Sequence, residues 1–220
     1  MKPITVIIAL TTILLNPYPL SATPREGADP HATNTTSPAS ADDIHPLLIG
    51  AAIPQVVLES LDSNAFNLNQ AVKEHPTVLI FYRGGWCPYC NIQLGQLQMV
   101  EPELLKLGYQ IIAVSPDLPS NLGESVDKHE LTYTLLSDHA MKAAQAFGIA
   151  FRVSEATLTK YIGYGIDLEA ASGEQHHLLP VPAVFIIGQD GLIKFTYVNP
   201  DYKIRVDPTV LVDAAKAALH

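Results

Sequence analysis

The chain has 220 residues, 48% of them hydrophobic and 16% charged, with a formal net charge of −9. That length accommodates one ordinary domain with a real core, and the composition is globular rather than disordered. The negative balance argues against nucleic acid and anionic membrane surfaces as partners.

The N-terminus reads as an export signal. Lys2 supplies the positive end, Ile4 to Leu15 is an unbroken run of apolar residues and threonines, and Asn16-Pro17-Tyr18-Pro19 interrupts it. Leu20-Ser21-Ala22 then offers a small residue for cleavage, so residues 1–22 are expected to be removed on export to the periplasm or the exterior. The run is shorter than the roughly 20 residues that span a bilayer, so no stable membrane insertion is expected after cleavage. Residues 23–46 are rich in Ala, Thr, Ser, Pro, Asp and Asn and read as a flexible spacer ahead of a domain spanning 47–220. Asn34-Thr35-Thr36 is formally a glycosylation sequon inside that spacer.

From Leu47 the pattern becomes that of an α/β domain. Thr77 to Tyr82 is a continuous apolar run, as expected of a strand buried on both faces. Leu94, Leu97, Val100, Leu104 and Leu107 recur at helical spacing, with a kink or break expected at Pro102 and a stop at Gly108. Gln110 to Ser115 is the next buried strand, and Pro116-Asp117 follows in a loop. A helix is expected around Ser125 to His129, then a short strand at Thr134 to Leu136. Ser137-Asp138 lead into a helical stretch that includes Met141, Ala144 and Phe147 and ends at Gly148. Farther on, Ala183 to Ile187 and Ile193 to Val198 flank Gln189-Asp190-Gly191 as an antiparallel hairpin. Asp207-Pro208 opens a closing helix that runs to Leu219. The order βαβαβ…ββα implies a central mixed sheet with helices on both faces.

The chemistry concentrates in Phe81-Tyr82-Arg83-Gly84-Gly85-Trp86-Cys87-Pro88-Tyr89-Cys90, which holds both cysteines of the chain. A Cys-x-x-Cys pair where a strand hands over to a helix is the layout of a thiol–disulfide site. Amide groups and the dipole at a helix N-terminus favour the thiolate, the form that attacks disulfides and peroxides. The second sulfur, one turn away, can close a reversible Cys87–Cys90 disulfide. Zinc needs four ligands, and with no second cysteine pair no metal site or other cofactor is expected. Trp86 is expected to pack beside the sulfurs and shield one of them. Arg83 is either a surface arginine or a group that lowers a thiol pKa or orients substrate. Val181-Pro182 is a candidate cis peptide ahead of a strand, with an ordinary trans proline as the alternative. His176 and His177 lie in a polar insertion and read as a solvated loop, with a proton relay or metal binding as the functional alternative.

These blocks resemble the thioredoxin-fold redoxins, specifically the peroxiredoxin-like branch of the alkyl hydroperoxide reductase C/thiol-specific antioxidant superfamily. The likeness is carried by Phe81 to Cys90, by Ile112-Ala113-Val114-Ser115-Pro116-Asp117 with Leu135-Leu136-Ser137-Asp138, and by Pro182 to Ile187 with Asp190-Gly191. The resemblance implies a thioredoxin-like fold over residues 47–220 and a thiol peroxidase with antioxidant activity. Such an enzyme acts on hydroperoxides and is restored by a thioredoxin-like reductant protein. In the family's pattern a proline, a threonine and the peroxide-reactive cysteine fall on Arg83, Cys87 and Cys90, and a later arginine falls on Pro182. On that register Cys90 meets the peroxide and Cys87 resolves it. By thioredoxin logic Cys87 is the exposed nucleophile and Pro182 the proline beside it. The alternative function is an extracytoplasmic thiol–disulfide exchanger acting on protein cysteines; a third is a redox-sensing binding module.

Overall fold

The five residues of Thr77–Phe81 are all buried, as their uniform apolar character demands, and they form the central strand β3 of a mixed sheet. The computed structural model describes residues 37–123 and 131–219. The expected signal, the sequon and the helix expected around Ser125 to His129 lie outside the described residues. In chain order the elements are β1 (Val57–Glu59), β2 (Ala65–Asn67), α1 (Leu68–Glu74), β3, α2 (Pro88–Lys106), β4 (Gln110–Ser115) and β5 (Thr134–Ser137). They continue with α3 (Lys142–Ala146), β6 (Ala150–Arg152), α4 (Glu155–Gly163), α5 (Leu168–Ser172) and β7 (Leu178–Pro180). The hairpin β8 (Ala183–Ile187) and β9 (Ile193–Val198) and the helix α6 (Pro208–Ala217) close the chain.

The main sheet runs β2-β1-β5-β4-β3-β8-β9. β3, β4 and β5 are parallel, with Ile80 opposite Ala113 and Val114 opposite Leu136. β8 pairs antiparallel with β3, and the two outer pairs are antiparallel as well. Strand alternation sends consecutive side chains to opposite faces. Leu79, Phe81, Val114 and Phe185 therefore face α1 and α3, where Phe81, Phe147 and Phe185 meet at ring separations of 5.1 to 6.1 Å. Val78, Ile80, Ala113 and Ile186 face α2 and α6, through Leu94, Leu97, Leu104, Leu211 and Ala215. Each fully buried Val, Leu, Ile or Phe side chain among them stabilises the fold by roughly 1.5–3 kcal/mol. Among the described residues no helix is long and apolar enough to cross a membrane.

Three expectations need correction. Pro102 does not break its helix: α2 is continuous from Pro88 to Lys106. Pro102 is exposed, while Leu97 before it and Leu104 after it are buried against the sheet, so packing holds both halves together. The spacer does not extend to residue 46. Residues 41–43 form a 3-10 turn, Ile44 is buried in the core, and the amides of His45 and Leu47 bond to the carbonyls of Gly148 and Phe147. Lastly, the Val181–Pro182 peptide is not cis. Val181 is fully buried and its N–H donates to the Ile149 carbonyl at 2.8 Å, which fixes an extended approach to β8.

Candidate active site

At the carboxyl end of β3 the chain must turn from a buried strand into a helix within a few residues. Tyr82 N–H still bonds to Val114 O of the neighbouring strand, and then Gly84 adopts φ +141°. No side chain fits there: a Cβ would stand 2.3 Å from Trp86 Nε1 and 2.8 Å from Asp117 Oδ1. Gly85 N–H donates to Asp117 Oδ2 at 2.8 Å, and Asn91 Nδ2 donates to Gly85 O at 2.9 Å, which pins the turn from both sides. Cys87 is the N-cap residue of α2 and Pro88 occupies the first helical position. The Cys87 side chain makes no capping hydrogen bond to this helix. Of the first amides, that of Cys90 acts on the Cys87 sulfur and favours its thiolate.

Both cysteines are reduced and buried, Cys87 at 1% and Cys90 at 0% exposure. The expectation of a solvent-facing Cys87 is thus corrected. Its cover is Arg83, itself buried, whose Nη1 lies 4.0 Å from Cys87 Sγ. The Arg83 guanidinium stacks against three rings, 5.0 Å from Trp86, 5.5 Å from Tyr161 and 4.1 Å from Tyr202, and its Nη2 donates to the Tyr161 hydroxyl. Trp86 and Tyr161 also contact each other at 5.7 Å. So Trp86 lies against the core cluster that contains both sulfurs, but its ring contacts are with Arg83 and Tyr161.

The two sulfurs are electrostatically unequal. A hydrogen bond from the Cys90 thiol, helped by Arg83, the Cys90 amide and Arg205, brings Cys87 down from 9.0 to about 6 against the opposing effect of burial. Cys90 moves the other way, because burial and donation to Cys87 hold it protonated. This ordering runs against the family register that puts the peroxide at Cys90: the thiolate available near neutral pH is Cys87. Arg205 adds a second cation, its Nη2 donating to Cys90 Sγ at 3.4 Å. Beneath the turn, burial raises Asp117 to about 6 despite hydrogen bonds from Gly85 and Ser115.

The other residues singled out from sequence stand elsewhere. Pro182 precedes Ala183, the register partner of Phe81, and so lies beside the strand end from which Arg83 emerges. His176 and His177 lie in the loop that leads into β7 and are half-buried. His176 Nε2 pairs with the His139 carbonyl and its Nδ1 accepts from Leu178 N–H, while His177 Nε2 pairs with Glu169. Among the described residues no group of three or more His, Cys, Asp or Glu side chains is placed to hold a metal ion. Sequence reasoning missed Tyr161, Tyr202 and Arg205. They come from α4 and from the loop between β9 and α6, and no local motif marks them.

A family model described as AhpC/TSA matches residues 49–196. The chain belongs to the AhpC/TSA family. Within it the chain is 30% identical over 106 residues to the putative peroxiredoxin bcp of Haemophilus influenzae, covering 48% of this chain and 68% of that one. Among solved structures, the fold matches peroxidoxin BcpB of Mycobacterium tuberculosis with a TM-score of 0.60 at 17% identity, covering 78% and 95% of the two chains. It also matches the reduced Prx3 of Vibrio vulnificus, solved with hydrogen peroxide, with a TM-score of 0.64 at 16% identity over 79% and 99%. The thioredoxin-like fold of this AhpC/TSA protein and its standing as a peroxiredoxin-like, thiol-dependent peroxidase follow.

Proposed function

We propose that the enzyme reduces hydroperoxides with Cys87 as the attacking thiolate and Cys90 as the resolving thiol. The supporting observation is the Cys87 sulfur at the N-terminus of α2, with a thiol pKa of about 6. The thiolate attacks one peroxide oxygen, an S–O bond forms and the O–O bond breaks. The peroxide is reduced by two electrons, and its other oxygen leaves as water or an alcohol after taking a proton. Cys90 then attacks the sulfenic sulfur, giving the Cys87–Cys90 disulfide and releasing the sulfenic oxygen as water. A thioredoxin-like dithiol protein is the reductant that restores both thiols.

Dimedone labelling during hydrogen peroxide treatment tests the assignment. A Cys90→Ser protein should accumulate sulfenic acid at Cys87, and a Cys87→Ser protein should not react at Cys90 at a comparable rate. The reverse pattern returns the peroxide-reactive role to Cys90. Insulin reduction without peroxide turnover would instead mean a disulfide exchanger. The enzyme works outside the cytoplasm on this proposal, supported by the Lys2 start, the Ile4–Leu15 apolar run and Ala22. Intact mass of the exported protein retaining Met1 would refute cleavage.

A further inference from the structure

Arg205 is the second cation in the site, and its direct contact is with Cys90 rather than with the peroxide-attacking sulfur. Its Nη2 donates to Cys90 Sγ at 3.4 Å, and its Nε and Nη1 are buried with no hydrogen-bond partner among the described residues. None of the ion pairs among the described residues gives it a carboxylate. A half-buried guanidinium with no carboxylate partner is costly to hold, so its placement has to be enforced by neighbours. It is enforced on both sides. Ile204 N–H bonds to Asp201 O, Val206 is buried in the same core as both cysteines, and Asp207 caps α6 by accepting from Thr209 N–H at 2.8 Å. The chain therefore fixes a cation without a carboxylate partner against a neutral thiol.

That pairing makes sense if the thiol becomes an anion during turnover. We propose that Arg205 activates Cys90 as the resolving nucleophile, stabilising the negative charge that develops on its sulfur as it attacks the Cys87 sulfenic acid. This inference rests on the assignment of Cys87 as the peroxide-attacking sulfur. Before peroxide arrives, the Cys90 proton is shared toward the Cys87 thiolate and burial keeps Cys90 neutral. Once Cys87 carries the oxygen, that acceptor is gone. The Cys90–Sγ to Cys87–Sγ bond forms, the Cys87 S–O bond breaks, and the departing hydroxide takes the Cys90 proton to leave as water. Cys87 is reduced from sulfenic acid to disulfide while Cys90 is oxidised from thiol to disulfide, so no outside reactant enters this step. A charge-assisted N–H donor on the attacking sulfur favours the step by about tenfold or more.

The test follows the two steps separately in the full chain. Reduced protein is mixed with hydrogen peroxide and quenched at intervals with dimedone and N-ethylmaleimide, and intact mass distinguishes Cys87 sulfenic acid from the disulfide. In Arg205→Gln, and in Arg205→Met as a second neutral side chain, disulfide formation should slow by about tenfold or more. Sulfenic acid formation should fall by less than about threefold, because Arg205 is only a minor influence on Cys87. Arg205→Lys, which keeps the charge, should recover most of the loss. Unchanged conversion in the neutral variants overturns the proposal, as does an equal slowing of both steps or a Lys variant as slow as Gln. Absence of any peroxide-dependent sulfenic acid at Cys87 in the wild-type protein is a different result, and it defeats the peroxidase assignment instead.

Discussion

Two strand-to-helix turns in the same sheet are built alike and used differently. After β3, the turn at residues 83–87 delivers α2; after β5, the turn at residues 138–141 delivers α3. β3 and β5 flank β4 as parallel strands, so both turns open at the same edge of the sheet. At the second turn the buried Asp138 carboxylate fills the helix start, accepting from Ala143 N–H at 3.0 Å and Ala144 N–H at 2.8 Å. At the first turn the N-cap residue is Cys87, whose side chain makes no capping hydrogen bond and places a sulfur at the helix start instead. The lesson is that a helix N-terminus serves either stability or chemistry: a carboxylate there ends its electrostatic influence, a thiol keeps it available.

The largest expected effect comes from removing that sulfur. Cys87→Ser should lower hydrogen peroxide turnover by about three orders of magnitude or more, since the hydroxyl is not ionised near neutral pH. Turnover within tenfold of wild type would break the comparison at its reactive end. At the structural end, Asp138→Ala leaves two buried amides without an acceptor and should destabilise the fold by about 2–3 kcal/mol. The urea midpoint should drop while the Cys87 titration, followed by alkylation, stays in place; a shifted titration would mean that the two turns are not independent.

Arg83→Gln sharpens the contrast further. In the wild-type protein, iodoacetamide labelling of Cys87 should rise about tenfold per pH unit below about 6 and level off above it. Loss of the Arg83 charge should move that curve upward by about one unit, so labelling at pH 5 falls about tenfold. An unmoved curve would assign the low pKa to the Cys90 hydrogen bond and the helix alone. The smallest effect is on stability. The folded-state pKa of Cys87 is depressed from 9.0 to about 6, so its contribution is complete above the unfolded value and is lost as pH falls through 6. The stability gap between reduced wild type and Cys87→Ser should therefore widen by on the order of 1 kcal/mol between pH 5 and pH 7. A gap independent of pH in denaturant titrations would contradict the depressed pKa.

Much of this was legible in the sequence, for reasons that are local. β3, β4 and β8 are buried on both faces and read as unbroken apolar runs, and Asp207-Pro208 announces its helix. The Cys-x-x-Cys turn was equally plain. What stayed hidden depends on contacts far apart in the chain. β6 and β7 are three residues each and gain their identity only by pairing with one another. Pro102 looked like a break because its local effect is unfavourable, yet burial of Leu97 and Leu104 outweighs it. Tyr161, Tyr202 and Arg205 carry no signature at all, because a tyrosine over a guanidinium is a product of folding rather than of spacing. The order in which the two sulfurs ionise was hidden for a related cause: the family register gives positions, whereas burial of Cys90, its hydrogen bond to Cys87 and the packing of Arg83 set which position is ionised.

Trp86 is the one tryptophan in the chain, and it adjoins Cys87 with its indole 5.0 Å from the Arg83 guanidinium and 5.7 Å from the Tyr161 ring. Its emission therefore comes with no background from elsewhere in the molecule. Tyr161 lies close enough to pass excitation energy to it, and the sulfur of the neighbouring residue is of the kind that quenches indole emission. A change of oxidation state at the adjoining Cys87 should therefore be readable in the light of a single ring.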